Sequence, residues 1–165
     1  MEELIYQFSP YAPAAILIAA ALDIFFITGY ILYGFAMLAS VLMMYTSGMI
    51  GAEAILITAF LGTTIGNSIN YWIGRFFGET EFVRKRLTQP RAQKARHFLQ
   101  HRGLIIFMVI GRFITFTRPM YALILGSMRI KFRRFLMYEI PLAFFWVAFW
   151  LFIILQGEEV VRSAL

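Results

Sequence analysis

The chain has 165 residues, 61% of them hydrophobic, 18% aromatic and 15% charged, with no cysteine and a formal net charge of +6. A soluble domain is roughly 45–50% apolar and about 25% charged, so this composition belongs in a bilayer. It excludes a disulfide scaffold, thiolate chemistry and cysteine-ligated metal, and no polar stretch is long enough to form a separate soluble unit, which leaves a single membrane domain over residues 1–165.

The N-terminus, MEELIYQFSP, opens with acid where a secretory signal would carry a basic region, so the first apolar run is expected to remain in the mature protein. That run extends from Ala12 to about Ile50, interrupted by Asp23, Gly29, Gly34 and Gly48. At ~20 residues per spanning helix it is too long for one crossing and short for two. A full helix plus a broken or re-entrant segment fits it better, with the first hairpin region at about 22–50. The second block, from about Ala54 to Phe77, reads as one spanning helix. Gly62, Gly66, Asn70, Gly74 and Gly78 recur there at every fourth position. They lay a narrow stripe of compact side chains along the helix, a packing face that another backbone can approach closely.

The segment GETEFVRKRLTQPRAQKARHFLQHRG follows, a polar linker at about 79–102 split by Pro90. From Arg91 to His101 it predicts an amphipathic helix lying on a membrane surface whose lipids are anionic. His97 and His101 have a spacing that can bind metal, but no acidic or cysteine ligand accompanies them, so a solvated helix face is the plainer reading and no metal is assigned. Arg84, Lys85, Arg86, Arg91, Lys94, Arg96 and Arg102 crowd this linker, and Arg129, Lys131, Arg133 and Arg134 form a second cluster. Both clusters lie directly beside apolar spans, which argues against nucleic acid as a partner and marks the cytoplasmic side.

The third block, Leu104 to Met128, is flanked by these clusters at both ends, so the charge rule asks both ends to be cytoplasmic. A simple crossing cannot satisfy that. A hairpin at about 104–128 can, with Pro119 supplying the break by removing a helical hydrogen bond and biasing Arg118 away from helical backbone. The fourth block, Phe135 to about Leu155, reads as a spanning helix, after which GEEVVRSAL is expected to emerge on the far side. FFIT at 25–28 and RFIT at 112–115 echo one another, as the inverted repeats of transporters do.

Three charges fall inside apolar blocks: Asp23, Arg112 and Arg118. Each costs about 2.5–3.5 kcal/mol at a helix centre and is a functional candidate by default. Residues six apart on a continuous helix point about 120° from one another, but with a break at Pro119 the two arginines could converge. Arginine's planar fork suits phosphate. With the Thr115 and Thr117 hydroxyls between them, Arg112 and Arg118 would make a site for an anionic head group whose tails stay in lipid. The alternatives are an internal ion pair with Asp23, or snorkelling of Arg112 to the interface. Catalytic motifs are missing: there is no GxSxG, HExxH, phosphate-binding loop or paired carboxylate, and both histidines lie outside the apolar blocks.

GNSINYWIGRFFGE at 66–79, the basic linker, and GRFITFTRPMYALILGSMRIKFRRFLMYEIPLAFFWV at 111–147 together resemble the DedA membrane proteins, also called the SNARE-associated or VTT-domain family. The resemblance is strongest over about 60–157. Its most specific part is GRF-x-x-x-x-R, whose two functional arginines fall on Arg112 and Arg118; a second pattern runs from Gly66 or Asn67 through Tyr71, Gly74 and Arg75 to Gly78. The resemblance implies an all-α polytopic fold in which two re-entrant hairpins face each other between transmembrane helices in an inverted-repeat-like arrangement. It implies a multi-pass protein of the bacterial inner membrane that moves lipids, undecaprenyl phosphate or a phospholipid, rather than an enzyme, and it requires no cofactor. Asp23 matches an acid of the family's first hairpin and would act as a proton-responsive counter-ion or gate. Phe35 stands where a second acid is common, Asn67 replaces a frequent aspartate, and Thr115 a frequent proline. Many members carry one more transmembrane helix after the one ending near Leu155; the expectation is either a short member or a partner chain that supplies the packing, and a homo-oligomer is one such arrangement. The expectation is thus a flippase- or scramblase-like carrier of a phosphate-bearing lipid, and the alternative is a non-transporting assembly protein with an internal Asp–Arg pair.

Overall fold

The computed structural model describes residues 9–24, 34–78, 103–113 and 120–164, together with 80, 81, 85, 88, 90, 94 and 97 of the linker. Every regular element among them is helical: a 3-10 turn at Ser9–Tyr11, then α1 (Ala12–Ile24), α2 (Gly34–Thr46), α3 (Ala52–Phe77), α4 (Leu104–Phe113), α5 (Tyr121–Ser127) and α6 (Phe132–Ala164).

Two helices are long and apolar enough to cross a bilayer, Ala52–Phe77 and the Phe132–Gln156 part of α6. Only 33% and 22% of their apolar windows are buried within the protein, so most of their surface faces outward, unlike the core helix of a soluble domain. On α3 the outward residues Ile57, Leu61, Ile65, Ile69, Trp72 and Phe76 form one stripe at helical spacing. An apolar patch of this extent suits lipid and not water. Thr58, Thr64 and Ser68 fold their hydroxyls back onto the carbonyls of Ala54, Phe60 and Thr64, so no side-chain donor of theirs is offered to hydrocarbon.

The glycine stripe of α3 is where two other helices come closest. A Cβ on Gly62 would meet the Leu17 carbonyl oxygen, and one on Gly66 would meet backbone atoms of Ala21. Further along, a Cβ on Gly74 would run into the Leu123 carbonyl and one on Gly78 would meet Ser127 at 3.1 Å. Partners advance in step with the stripe, so α1 and α5 both run parallel to α3, α1 along its first half and α5 along its second.

In the first apolar block, where a full span plus a broken segment is expected, the described residues form two helices of 13 residues each, and residues 25–33 between them lie outside the described residues. The block closes on itself: the Ser9 hydroxyl donates to the Met49 carbonyl at 2.8 Å, joining its start to its end. The third block holds two shorter helices, of 10 and 7 residues. The end of α4 abuts the start of α5, since a Cβ on Gly111 would lie 3.0 Å from Tyr121 Cβ. α5 is buried from Tyr121 to Gly126 and ends in a Schellman motif, with Arg129 N–H bonded to the Gly126 carbonyl and Ile130 N–H to that of Leu125. Arg129 takes the left-handed conformation, φ 57°, that glycine usually occupies there. The Tyr71 hydroxyl donates to the Ile130 carbonyl and pins this turn to α3.

α6 continues past the expected end near Leu155 and through the terminal GEEVVRSAL as helix to Ala164. One core cluster gathers Tyr71, Phe107, Met108 and Phe135 around α5, and a second joins Ile16, Val41 and Ile55 to Val147 and Ile154 of α6.

Candidate functional site

Four polar side chains meet in the middle of the protein. Arg112 comes from the last turn of α4, Tyr121 from the first turn of α5, Asn67 from α3 and Glu139 from α6. All are buried, Arg112 at 4% exposure and Glu139 and Asn67 at 0%. Asn67 lies ten residues before Phe77, about 15 Å along α3 and so about half the depth of a bilayer.

Glu139 is the hub. Its Oε1 accepts from Arg112 Nη2 in an ion pair and from Asn67 Nδ2 at 2.7 Å, and its Oε2 accepts from the Tyr121 hydroxyl at 2.7 Å. Arg112 Nη2 also donates to the Tyr121 hydroxyl at 2.8 Å, and the guanidinium lies 5.9 Å from the Tyr121 ring centroid. A charge this deep persists only when paired and hydrogen-bonded, and these contacts supply both. Among the described residues, two buried polar atoms nevertheless lack hydrogen-bond partners, Arg112 Nη1 and Asn67 Oδ1. Neighbouring contacts fix the helix ends that carry the arginine: Phe113 meets Trp146 of α6 edge-on at 5.3 Å.

Such an arrangement holds a buried guanidinium whose charge is balanced by Glu139 and whose Nη1, itself enclosed, meets no acceptor among the described residues. An acceptor brought to Nη1, such as a phosphate or carboxylate oxygen, would satisfy it.

A family model described as the VTT domain matches residues 10–156, most of the chain. The chain belongs to this family, the DedA membrane proteins. It is 33% identical over 107 residues to an uncharacterized membrane protein, slr0232, of Synechocystis, covering 62% of this chain and 48% of that protein. It is also 24% identical over 154 residues to the inner membrane protein YabI of Escherichia coli K12, covering 91% of this chain and 59% of YabI. The chain thus spans about half to three-fifths of these curated relatives. No solved structure matches.

Within this VTT-domain protein, Arg112 sits inside the buried cluster and does not reach back to an interface. Arg118, Thr115, Thr117 and Pro119 lie outside the described residues, as do residues 25–33 of the first hairpin region. Asp23 is buried, 7% exposed, near the end of α1. The described partner of Arg112 is Glu139, not Asp23. Gly62, Gly66, Gly74 and Gly78 stand at the close approaches of α1 and α5. Lys94 and His97 are exposed on helical linker backbone, and His101 is outside the described residues.

Sequence reasoning missed Glu139, Tyr121 and the role of Asn67. Glu139 had a signal: it is an acid with apolar neighbours on both sides, about two turns into the Phe132–Gln156 span and two residues before Pro141. An ionisable residue there deserved the same reading as the arginines.

Proposed function

We propose that this protein carries a phosphate-bearing lipid, undecaprenyl phosphate or a phospholipid, across the bilayer as a flippase- or scramblase-like transporter. Arg112 and Arg118 hold the head group, Thr115 and Thr117 add hydroxyl contacts, and Asp23 serves as the proton-responsive counter-ion or gate. Blocks 22–50 and 104–128 act as the two re-entrant hairpins. The observation that carries this reading is the Arg112 guanidinium, buried in the cluster with its Nη1 lacking a partner among the described residues. Support for the hairpins comes from short helices whose block returns to its start, as at Ser9 and Met49. The test is flipping of undecaprenyl phosphate, and of phosphatidylethanolamine in parallel, by proteoliposomes. Arg112→Gln and Arg118→Gln should each reduce flipping at least about tenfold, the loss expected when a charge-assisted hydrogen bond is removed. Activity that survives both changes together would sink the assignment.

The Arg112–Glu139 pair favours one other reading, a non-transporting assembly protein in which the arginine only neutralises a buried acid. An Arg112→Glu, Glu139→Arg exchange separates the two. An ion pair should tolerate it with folding retained, whereas a phosphate site would lose lipid binding.

A further inference from the structure

The guanidinium and the carboxylate of the central pair are satisfied unequally. Both Glu139 oxygens accept hydrogen bonds, Oε1 from Arg112 and Asn67 and Oε2 from Tyr121. Among the described residues Arg112 uses one nitrogen, Nη2, for both of its acceptors and leaves Nη1 without a partner in the same buried setting. A pair built only to neutralise charge would favour two parallel bonds, one from each nitrogen to each oxygen. Here Oε2 accepts from the Tyr121 hydroxyl, and Nη1 makes no second bond to the carboxylate, although leaving a buried donor empty is unfavourable.

Charge balance gives this arrangement a use. A guanidinium with no counter-charge in a medium of low dielectric would hold phosphate very tightly. Conduction through a membrane site requires binding strong enough to enter and weak enough to leave. A carboxylate fixed on the far side of the guanidinium weakens the grip without blocking the face that binds.

We propose that Glu139 is a positioning residue for Arg112: with Tyr121 and Asn67 it fixes the guanidinium so that Nη1 is presented to a lipid phosphate, and its charge tempers the affinity so that the head group is released. This role rests on the lipid-phosphate reading above. Tyr121 keeps the pair half open, and Asn67 anchors the carboxylate to α3.

The experiment uses the full chain in nanodiscs of phosphatidylcholine containing phosphatidic acid as probe, with binding measured by native mass spectrometry and transport in matched proteoliposomes. Glu139→Gln keeps the shape and an acceptor for Asn67 and removes the charge. It should raise affinity for phosphatidic acid about tenfold and lower turnover. Tyr121→Phe keeps both charges and frees Oε2 to capture Nη1, so it should lower affinity by about the same factor. Opposite signs are the signature of positioning. Variants that fold and leave affinity unchanged, or shift it in the same direction, overturn the role and leave a structural pair. If Glu139→Gln does not fold, the sign for Tyr121→Phe decides.

A cycle of Arg112→Gln and Glu139→Gln followed by melting temperature in detergent needs no lipid. Additive shifts alongside intact lipid binding overturn the positioning role alone. A wild-type protein that binds neither phosphatidic acid nor undecaprenyl phosphate overturns the lipid reading, and this role with it.

Discussion

At position 67 an amide nitrogen stands 2.7 Å from a carboxylate oxygen, both side chains fully buried in the protein. That contact explains why an amide fits here: Asn67 donates, and an aspartate would set a second carboxylate against Glu139. Asn67→Asp should therefore lower stability by more than the about 1–3 kcal/mol of a lost buried donor, because like charges add repulsion. Melting in detergent measures it, and adding Glu139→Gln should restore most of the loss by returning a donor to the pair. A double variant no more stable than Asn67→Asp alone would contradict the hydrogen-bond assignment. Arg112 shows the same dependence on surroundings. Its sequence neighbours allow snorkelling, an internal pair or a ligand site, and it is Glu139, 27 residues away, that fixes where its guanidinium lies.

Among the elements, α3 organises the others because its compact residues admit two backbones. Gly126 on α5 reciprocates, since a Cβ there would run into the Tyr71 carbonyl. Gly74→Ala and Gly126→Ala should each destabilise the fold by about 1–3 kcal/mol through overpacking against main chain that cannot yield. Gly51 offers the contrast. It caps α3 in extended backbone, φ −84° and ψ 159°, with nothing within 4 Å of a Cβ. Gly51→Ser should fit and gain a few tenths of a kcal/mol by capping the first turn. Thermal unfolding of the three variants tests the ranking, and an equal loss at all three sites would show that the stripe is not a contact face. The stripe itself was legible as spacing in the sequence, but its division between α1 and α5 was not, because one glycine resembles another until its neighbour is known.

For the whole molecule, orientation follows from where charge and chain ends fall. The basic linker and the Lys131–Arg134 cluster flank the third block, and the described linker residues are exposed, as are Lys131, Arg133 and Arg134. Because the chain has no cysteine, single cysteines report sidedness without interference. Lys94→Cys and Lys131→Cys should react with an impermeant maleimide only from the cytoplasmic face, and Thr46→Cys, on the other side of α3, only from the opposite face. Labelling of position 46 from the same side as position 94 would overturn the single crossing by α3.

Membrane residence, helical class, the two long apolar helices and the presence of a charge, Arg112, inside an apolar block were all legible in the sequence alone. They depend on local quantities: apolar length, charge next to a span, and a cation where hydrocarbon is expected. Tertiary structure alone decided what Arg112 faces, because Asn67, Tyr121 and Glu139 come from three other helices and no spacing along the chain brings them together. Hydropathy records how deep a residue sits, and only packing records what it meets there.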